Sequence, residues 1–265
     1  MRKSSLAGFG VLLLANACSL LFPVPDGSED AGVGTPGADG STELADARTI
    51  EDGGDGGGPG ILCPEDVRGP KLVPVDTYCI DRRKVTVTEY QAFQDAGVPL
   101  DAQPPGCETN PAYQLFPLSD GGAPPPDTPA LVDWCEAYVY CRWAGKRLCS
   151  AVDGGPLAYD DHASITDRRT NAWLHACTGP DGTVYPYGND FEPDACVAGR
   201  PVEQPECQGG YPGIFDLASG PEWVDSCQDD GCVMMRGPAC RDYSQSLRVR
   251  AEPQGSLAGI RCCSR

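Results

Sequence analysis

Thiols are the reactive groups that this 265-residue chain carries in unusual number. It holds 15 cysteines and only two histidines, His162 and His175. Three thiols, Cys135, Cys141 and Cys149, fall within WCEAYVYCRWAGKRLCS at 134–150. They could hold a metal, act in redox chemistry or bridge to other cysteines. The first two are six residues apart, about 600° around a helix, so they do not share a face. Neither gap has the C-x2–4-C spacing of structural zinc. Disulfides are therefore the expected use in an oxidising compartment. Setting Cys18 aside leaves 14 cysteines, an even number that could make seven bridges. Cys196 with Cys207 and Cys227 with Cys232 would close short local loops, and Cys63, Cys79 and Cys107 complete the inventory.

Other chemistry finds less support. A site needing three imidazoles cannot be built from two histidines. A Ser-His-Asp triad needs a histidine in a base's surroundings. His162, in AYDDHAS, is expected on a surface loop, and His175, in NAWLHAC, on a helix at the edge of the core. GKR at 145–147 is not a phosphate-binding loop, because position 140 is not Gly and Arg147 follows the lysine. Lys146 and Arg147 are expected to bridge helix-end carbonyls or acidic loops. Glu222 and Asp225, beside Trp223, could form an acid pair in a cleft, but hydrogen bonding to loop amides is the expected use.

The elements that must position these residues follow from composition. With 33 Gly and 26 Pro beside the cysteines, the chain reads as a loop-rich, disulfide-bonded, exported protein. A formal net charge of −18 argues against nucleic acid or an anionic membrane surface as partner. MRKSSLAGFGVLLLANAC has a basic start, an apolar run from Leu6 to Leu14 and small residues before Cys18, so residues 1–17 read as a signal peptide too short to span a bilayer. A cysteine at that place resembles a bacterial lipobox, which makes Cys18 the lipidated residue and the lipid the sole membrane contact. Ala15-Asn16-Ala17 also fits ordinary cleavage, which gives a secreted protein instead. Residues 18–60 read as the anchor cysteine and a disordered linker: 26–60 contain eleven Gly, nine acidic residues and no aromatic. Such a linker has a coil span of roughly 35–40 Å.

The globular domain is expected over 61–265. VDTYCIDRRK opens with a strand-like stretch. A short helix with Tyr90 and Phe93 follows, capped by Thr86 or Thr88. A Pro/Gly loop at 104–129 is pinned by Cys107. A second helix, capped by Asp133, carries Trp134, Ala137, Tyr138, Cys141 and Ala144 on one apolar face and ends at Gly145. The rest reads as turns and short strands. With no βα alternation and no repeat, this is an α+β domain with two clear helices and a small sheet.

Several stretches, in order, resemble one family. VTVTEYQAF (85–93) resembles E-V-T-x-x-x-Y-x-x-F. PALVDWCEAYVYCRWAGKRL (129–148) resembles P-V-x-x-V-S-W-x-D-A-x-A-Y-C-x-W-x-G-K-R-L, carrying Asp133, Trp134, Trp143, Gly145, Lys146, Arg147 and Leu148. VYPYGNDF (184–191) resembles Y-P-W-G-N, with Gly188 and Asn189. GIFDLASGPEWV (213–224), MRGPAC (235–240) and AGIRCC (258–263) resemble G-x-x-D-M-x-G-N-V-x-E-W-V, R-G-G-S and G-F-R, with Glu222, Trp223, Arg236, Gly237, Gly259 and Arg261. The chain is similar over about residues 75–263 to the sulfatase-modifying-factor, or formylglycine-generating enzyme, family. The resemblance implies a C-type-lectin-like variant with little regular secondary structure, in keeping with the loop-rich composition.

Active members hold Cu(I) with two cysteines after the G-G-S turn and use dioxygen to oxidise a substrate-protein cysteine to formylglycine. Two soft thiolates suit that ion. The matching stretch here, RGPACRDYSQSLRVR (236–250), has Cys240 alone, with Gln245 where a second thiolate would fall and Pro238 in place of a glycine. Cys240 matches either the first ligand or a structural cysteine just downstream of the pair. The G-N-V-x-E-W segment, which supplies calcium ligands in family members, reads SGPEW (219–223), one residue shorter and without the asparagine, which argues against calcium there. Asn189 is expected to cap a turn. The family pattern pairs Cys141 with Cys262, and Cys177 with a late cysteine, for which Cys240 is available. Adjacent Cys262 and Cys263 are expected to take separate partners, with Cys135 or Cys149 serving Cys263. Other branches use iron and a histidine triad in an added helical domain, and this chain has neither.

Three functions stay open. The first is a catalytically degenerate, membrane-tethered and monomeric member on the periplasmic or cell-surface side, binding an unknown protein or small ligand or acting structurally. The second is a copper-dependent formylglycine-generating oxidase with Cys240 as its one formal catalytic candidate. The third is another activity on the same scaffold.

Overall fold

The computed structural model describes residues 61–116, 121–228, 231–240 and 248–264. The signal peptide, Cys18, the linker and Gln245 lie outside the described residues.

Strands β1 (Leu72–Val75) and β2 (Tyr78–Asp81) form an antiparallel hairpin through Asp76-Thr77, with Asp76 in the left-handed region at φ 46°. Thr86 starts α1 (Val87–Asp95) by accepting from the Glu89 amide, while the Glu89 carboxylate accepts from the Thr86 amide. Tyr90 and Phe93 bury the inner face of α1. After β3 (Leu131–Val132), Asp133 and Glu136 repeat the same reciprocal cap at α2 (Trp134–Trp143). Gly145, at φ 79°, turns the chain out of α2 into β4 (Arg147–Leu148).

The apolar face expected on α2 is too narrow. Tyr138 is half-buried, whereas Cys135, Glu136, Val139 and Tyr140 are buried as well. The reason is the Pro/Gly loop, which closes over the outer side of α2 through the Cys107–Cys135 bridge and the Gln114 amide on Glu136. The helix count also changes. A further short helix, α3 (His162–Thr166), capped by Asp161, stands where a loop was expected, and the helix expected around His175 is α4 (Ala172–Thr178), capped by Asn171. Their five and seven residues are too few to show a clear helical period.

The chain ends in β5 (Glu222–Gln228), β6 (Gly231–Met235), β7 (Arg248–Ala251), β8 (Ala258–Gly259) and β9 (Cys262–Ser264). Two sheets form in place of one. The first is antiparallel, in the order β1-β2-β9-β4, and the second runs β3-β8-β5-β6-β7 with β5 and β8 parallel. One apolar cluster gathers Tyr78, Trp173, Ile214 and Val233, and the other gathers Tyr90, Phe93, Trp134 and Trp223.

Seven disulfides staple these parts: Cys63–Cys79, Cys107–Cys135, Cys141–Cys262, Cys149–Cys263, Cys177–Cys240, Cys196–Cys207 and Cys227–Cys232. Neighbouring side chains on a strand point to opposite faces. Cys262 therefore enters the Trp134 cluster and Cys263 the Trp173 cluster, each meeting its own partner there. Among the described residues no helix is long and apolar enough to cross a membrane.

Candidate functional site

The signature residues divide between a charged centre in the core and a groove at the surface. In the core, the Lys146 ammonium donates to Asp81 Oδ1 at 2.5 Å and to the Pro70 carbonyl at 2.7 Å. Asp81 Oδ2 accepts from the Cys262 amide at 2.9 Å. Burial pushes the Asp81 carboxyl up to about 6, with Lys146 acting against it. Arg261 is fully buried and donates Nε to Glu222 Oε2 at 2.7 Å, Nη1 to the Asp81 carbonyl at 2.8 Å and Nη2 to the Phe215 carbonyl at 2.8 Å. Glu222 is thus held by a guanidinium and not by loop amides, because β5 carries it into the interior where only a cation offsets its charge. Asp225 hangs elsewhere on β5, its carboxyl pushed to about 6 by burial against the pull of Arg147, so the two acids form no pair in a cleft.

Trp223 donates to the Val132 carbonyl at 2.8 Å and Trp134 to that of Val224 at 3.0 Å, joining α2 to the second sheet. Leu148 is buried, Trp143 packs edge-on against Phe93, and Arg147 reaches Ser150. Gly259 lies in the core, where an added Cβ would stand 3.1 Å from the Lys84 side chain.

Lys84 and Asp81 carry none of the spacing that marks a site, and sequence reasoning passed over both. The one visible signal is that Lys84 precedes Val85-Thr86, at the place of the glutamate in the E-V-T pattern. Its ammonium lies under loop 213–222 and donates to Ser219 O at 3.0 Å, Ser219 Oγ at 3.1 Å and Gly220 O at 3.4 Å, with Glu222 Oε1 at 3.8 Å. These are the oxygens of the SGPEW segment.

The second region surrounds Cys240, at the end of the turn that follows β6. Arg236 is exposed, and Gly237 lies so close to Ala218 that a Cβ would stand 2.2 Å from its carbonyl oxygen. Cys240 is fully buried, bridged to Cys177 at the end of α4, and its amide donates to Val184 O at 2.7 Å. No described cysteine is a free thiol. Next to this bridge the chain after Cys177 lines a groove of 160 Å³ with Thr178, Gly179, Thr183, Tyr187 and Gly210. Thr178 and Thr183 donate their hydroxyls to the Leu174 and Tyr185 carbonyls at 2.9 and 2.6 Å. Asn189 Oδ1 accepts from the Val184 amide at 3.1 Å and holds the same loop, which turns at Gly188. The Tyr185 and Tyr187 rings stack 5.3 Å apart at the rim, beside exposed Phe191.

Neither histidine side chain enters the charged centre or lines the groove. His162 is exposed, as the first residue of α3 and not on a loop. His175 Nε2 stands 3.0 Å from Asp76 Oδ2 and 2.9 Å from the Tyr211 hydroxyl, which itself donates to Asp76 at 2.8 Å. Burial lowers the His175 pKa, and Asp76 opposes the shift. The cluster pins the β1–β2 turn to α4, and none of its three members is a serine or thiol nucleophile.

A family model described as the sulfatase-modifying factor enzyme 1-like domain matches residues 49–200. The chain belongs to this family. The fold is accordingly the α+β, disulfide-rich formylglycine-generating-enzyme variant of the C-type-lectin-like architecture. Two solved structures are similar. PvdO from Pseudomonas aeruginosa is 20% identical over 71% of this chain and 80% of that one, with a TM-score of 0.43. CarF is 17% identical over 75% of this chain and 96% of that one, with a TM-score of 0.41. A comparison with curated proteins gave no match. Glu222, Arg261 and Cys240 all lie beyond the stretch that the family model matches.

Proposed function

We propose that this chain is an exported, membrane-tethered member of the sulfatase-modifying-factor family that performs no thiol–copper oxidation and works as a binding or structural module. The observation that supports this is the bridge between Cys240 and Cys177. Cu(I) needs soft thiolates, and a disulfide sulfur is not one. The groove beside the bridge supplies a surface for a ligand: it has an aromatic rim, a floor of backbone and hydroxyl groups, and Asp181 at its edge. Seven disulfides fit an oxidising compartment, and the Cys18 context supports a lipid tether.

The deciding experiment counts thiols in the mature exported protein, denatured without reduction, by alkylation and intact mass. No alkylated cysteine is the expected result. Two free thiols, one of them Cys240, would overturn the reading in favour of the copper oxidase. For the tether, Cys18→Ala should move the protein from the membrane to the soluble fraction, and retention like that of wild type would sink the lipid anchor.

A further inference from the structure

Loop 213–222 has an unusual backbone. Asp216, Ala218 and Gly220 have φ of 64°, 68° and 116°, two of them non-glycine residues in a region that side chains disfavour. The turns aim Ser219 O, Ser219 Oγ and Gly220 O inward at one point, with the Glu222 carboxylate beside them. Neutral oxygens together with a carboxylate are the donor set of a hard divalent cation such as calcium. At that point stands the Lys84 ammonium, 2% exposed, with one N–H for each of the three neutral oxygens. The separations of 3.0–3.4 Å are hydrogen-bond lengths, whereas calcium draws its ligands to roughly 2.3–2.6 Å. Arg261 already holds Glu222 at 2.7 Å, and the buried Asp216 carboxylate, which acts on both cations, is taken up by the Glu203 and Gln204 amides, so a divalent ion would add charge beside two buried cations whose nearby carboxylates are already engaged.

We propose that Lys84 is the resident cation of this loop: its ammonium orders Ser219, Gly220 and Glu222 as a bound divalent metal would, and the domain folds independently of calcium. Two consequences follow. The wild-type fold is insensitive to chelators, and the oxygens become a metal site once the ammonium is removed.

The test compares thermal melting of the intact protein in excess EDTA and in millimolar calcium chloride, with calcium titration calorimetry alongside. Wild type should melt at one temperature in both and give a flat titration. Lys84→Ala, which empties the space, should melt roughly 10 °C lower in EDTA, regain part of the loss in calcium and show a binding isotherm. Lys84→Met, which fills the space without charge, should melt lower in both conditions alike. Calcium stabilisation of wild type would overturn the proposal, as would a Lys84→Ala protein that calcium leaves unchanged. If Lys84→Ala is recovered only unfolded, its refolding in calcium but not in EDTA supports the proposal, and failure in both overturns it.

Discussion

The charged centre around Arg261 and the groove beside Cys240 both contain residues that match the family signature, yet they are built in opposite ways. Asp81, Lys84, Lys146, Glu222 and Arg261 are buried, and each is held by several partners. Beside the groove, Cys240 is buried and bridged, and the groove's own threonine hydroxyls are turned onto main-chain carbonyls. The buried ionisable residues thus hold two sheets and a loop together, while the groove offers mainly neutral, hydrogen-bonded groups, with exposed Asp181 at its edge. A charged signature residue in this fold is architecture until a substrate is shown to reach it.

The contrast breaks if the core tolerates damage better than the groove. Removing the Cys107–Cys135 bridge, which closes 28 residues that no other bridge spans, should cost about 3.5 kcal/mol by chain entropy, against about 2 kcal/mol for Cys227–Cys232, which closes five. Urea unfolding of the paired Ser variants measures both, and equal losses would show that loop length does not govern these staples. Lys146→Ala leaves the buried Asp81 carboxylate without its cation and should cost about 3–5 kcal/mol in the same assay. A loss under about 1 kcal/mol would remove the centre's structural role.

pH sharpens the contrast further. Burial, reinforced by the Asp133 charge, pushes the Glu136 carboxyl up from 4.5 to about 8. A raised carboxyl contributes stability that is complete below 4.5 and is lost as pH rises through about 8. Burial moves Asp133 to about 6, in the same direction. The melting temperature should fall between pH 5 and pH 8, and Glu136→Gln should flatten that slope. A wild-type melting temperature that rises over this range would contradict the sign. At the groove, Thr183→Val should cost only about 1 kcal/mol, the worth of one hydroxyl hydrogen bond. Arg169→Ala, which removes a solvent-facing ion pair with Asp167, should leave the melting temperature unmoved.

Local order was legible in the sequence. Thr86, one of two threonines expected to cap α1, and Asp133 at α2 are the caps found, each with its glutamate three positions on, and Gly145 marks the end of α2 for an equally local reason. The buried width of α2 was not legible, since it depends on a loop brought over the helix by Cys107 and Gln114. The second sheet was missed because β3 and β8 have two residues each, too few for any alternation to show. The partners of Lys84 lie 135 and 136 residues away, and Arg261 is 39 residues from Glu222. No spacing rule spans such gaps. The residue types, Lys, Glu and Arg, suggest surface until the fold has buried them.

Strand β9 carries a consequence for biogenesis. It is an inner strand, between β2 and β4, and its adjacent cysteines sew it to α2 on one face and to the Trp173 cluster on the other. Until residues 262–264 are available, β2 and β4 have no strand between them and two early thiols have no mates. A chain emerging from the ribosome stays open along its centre until β9 arrives. Synthesis order thus delays closure, and the last bridges to form are those that seal both halves at once.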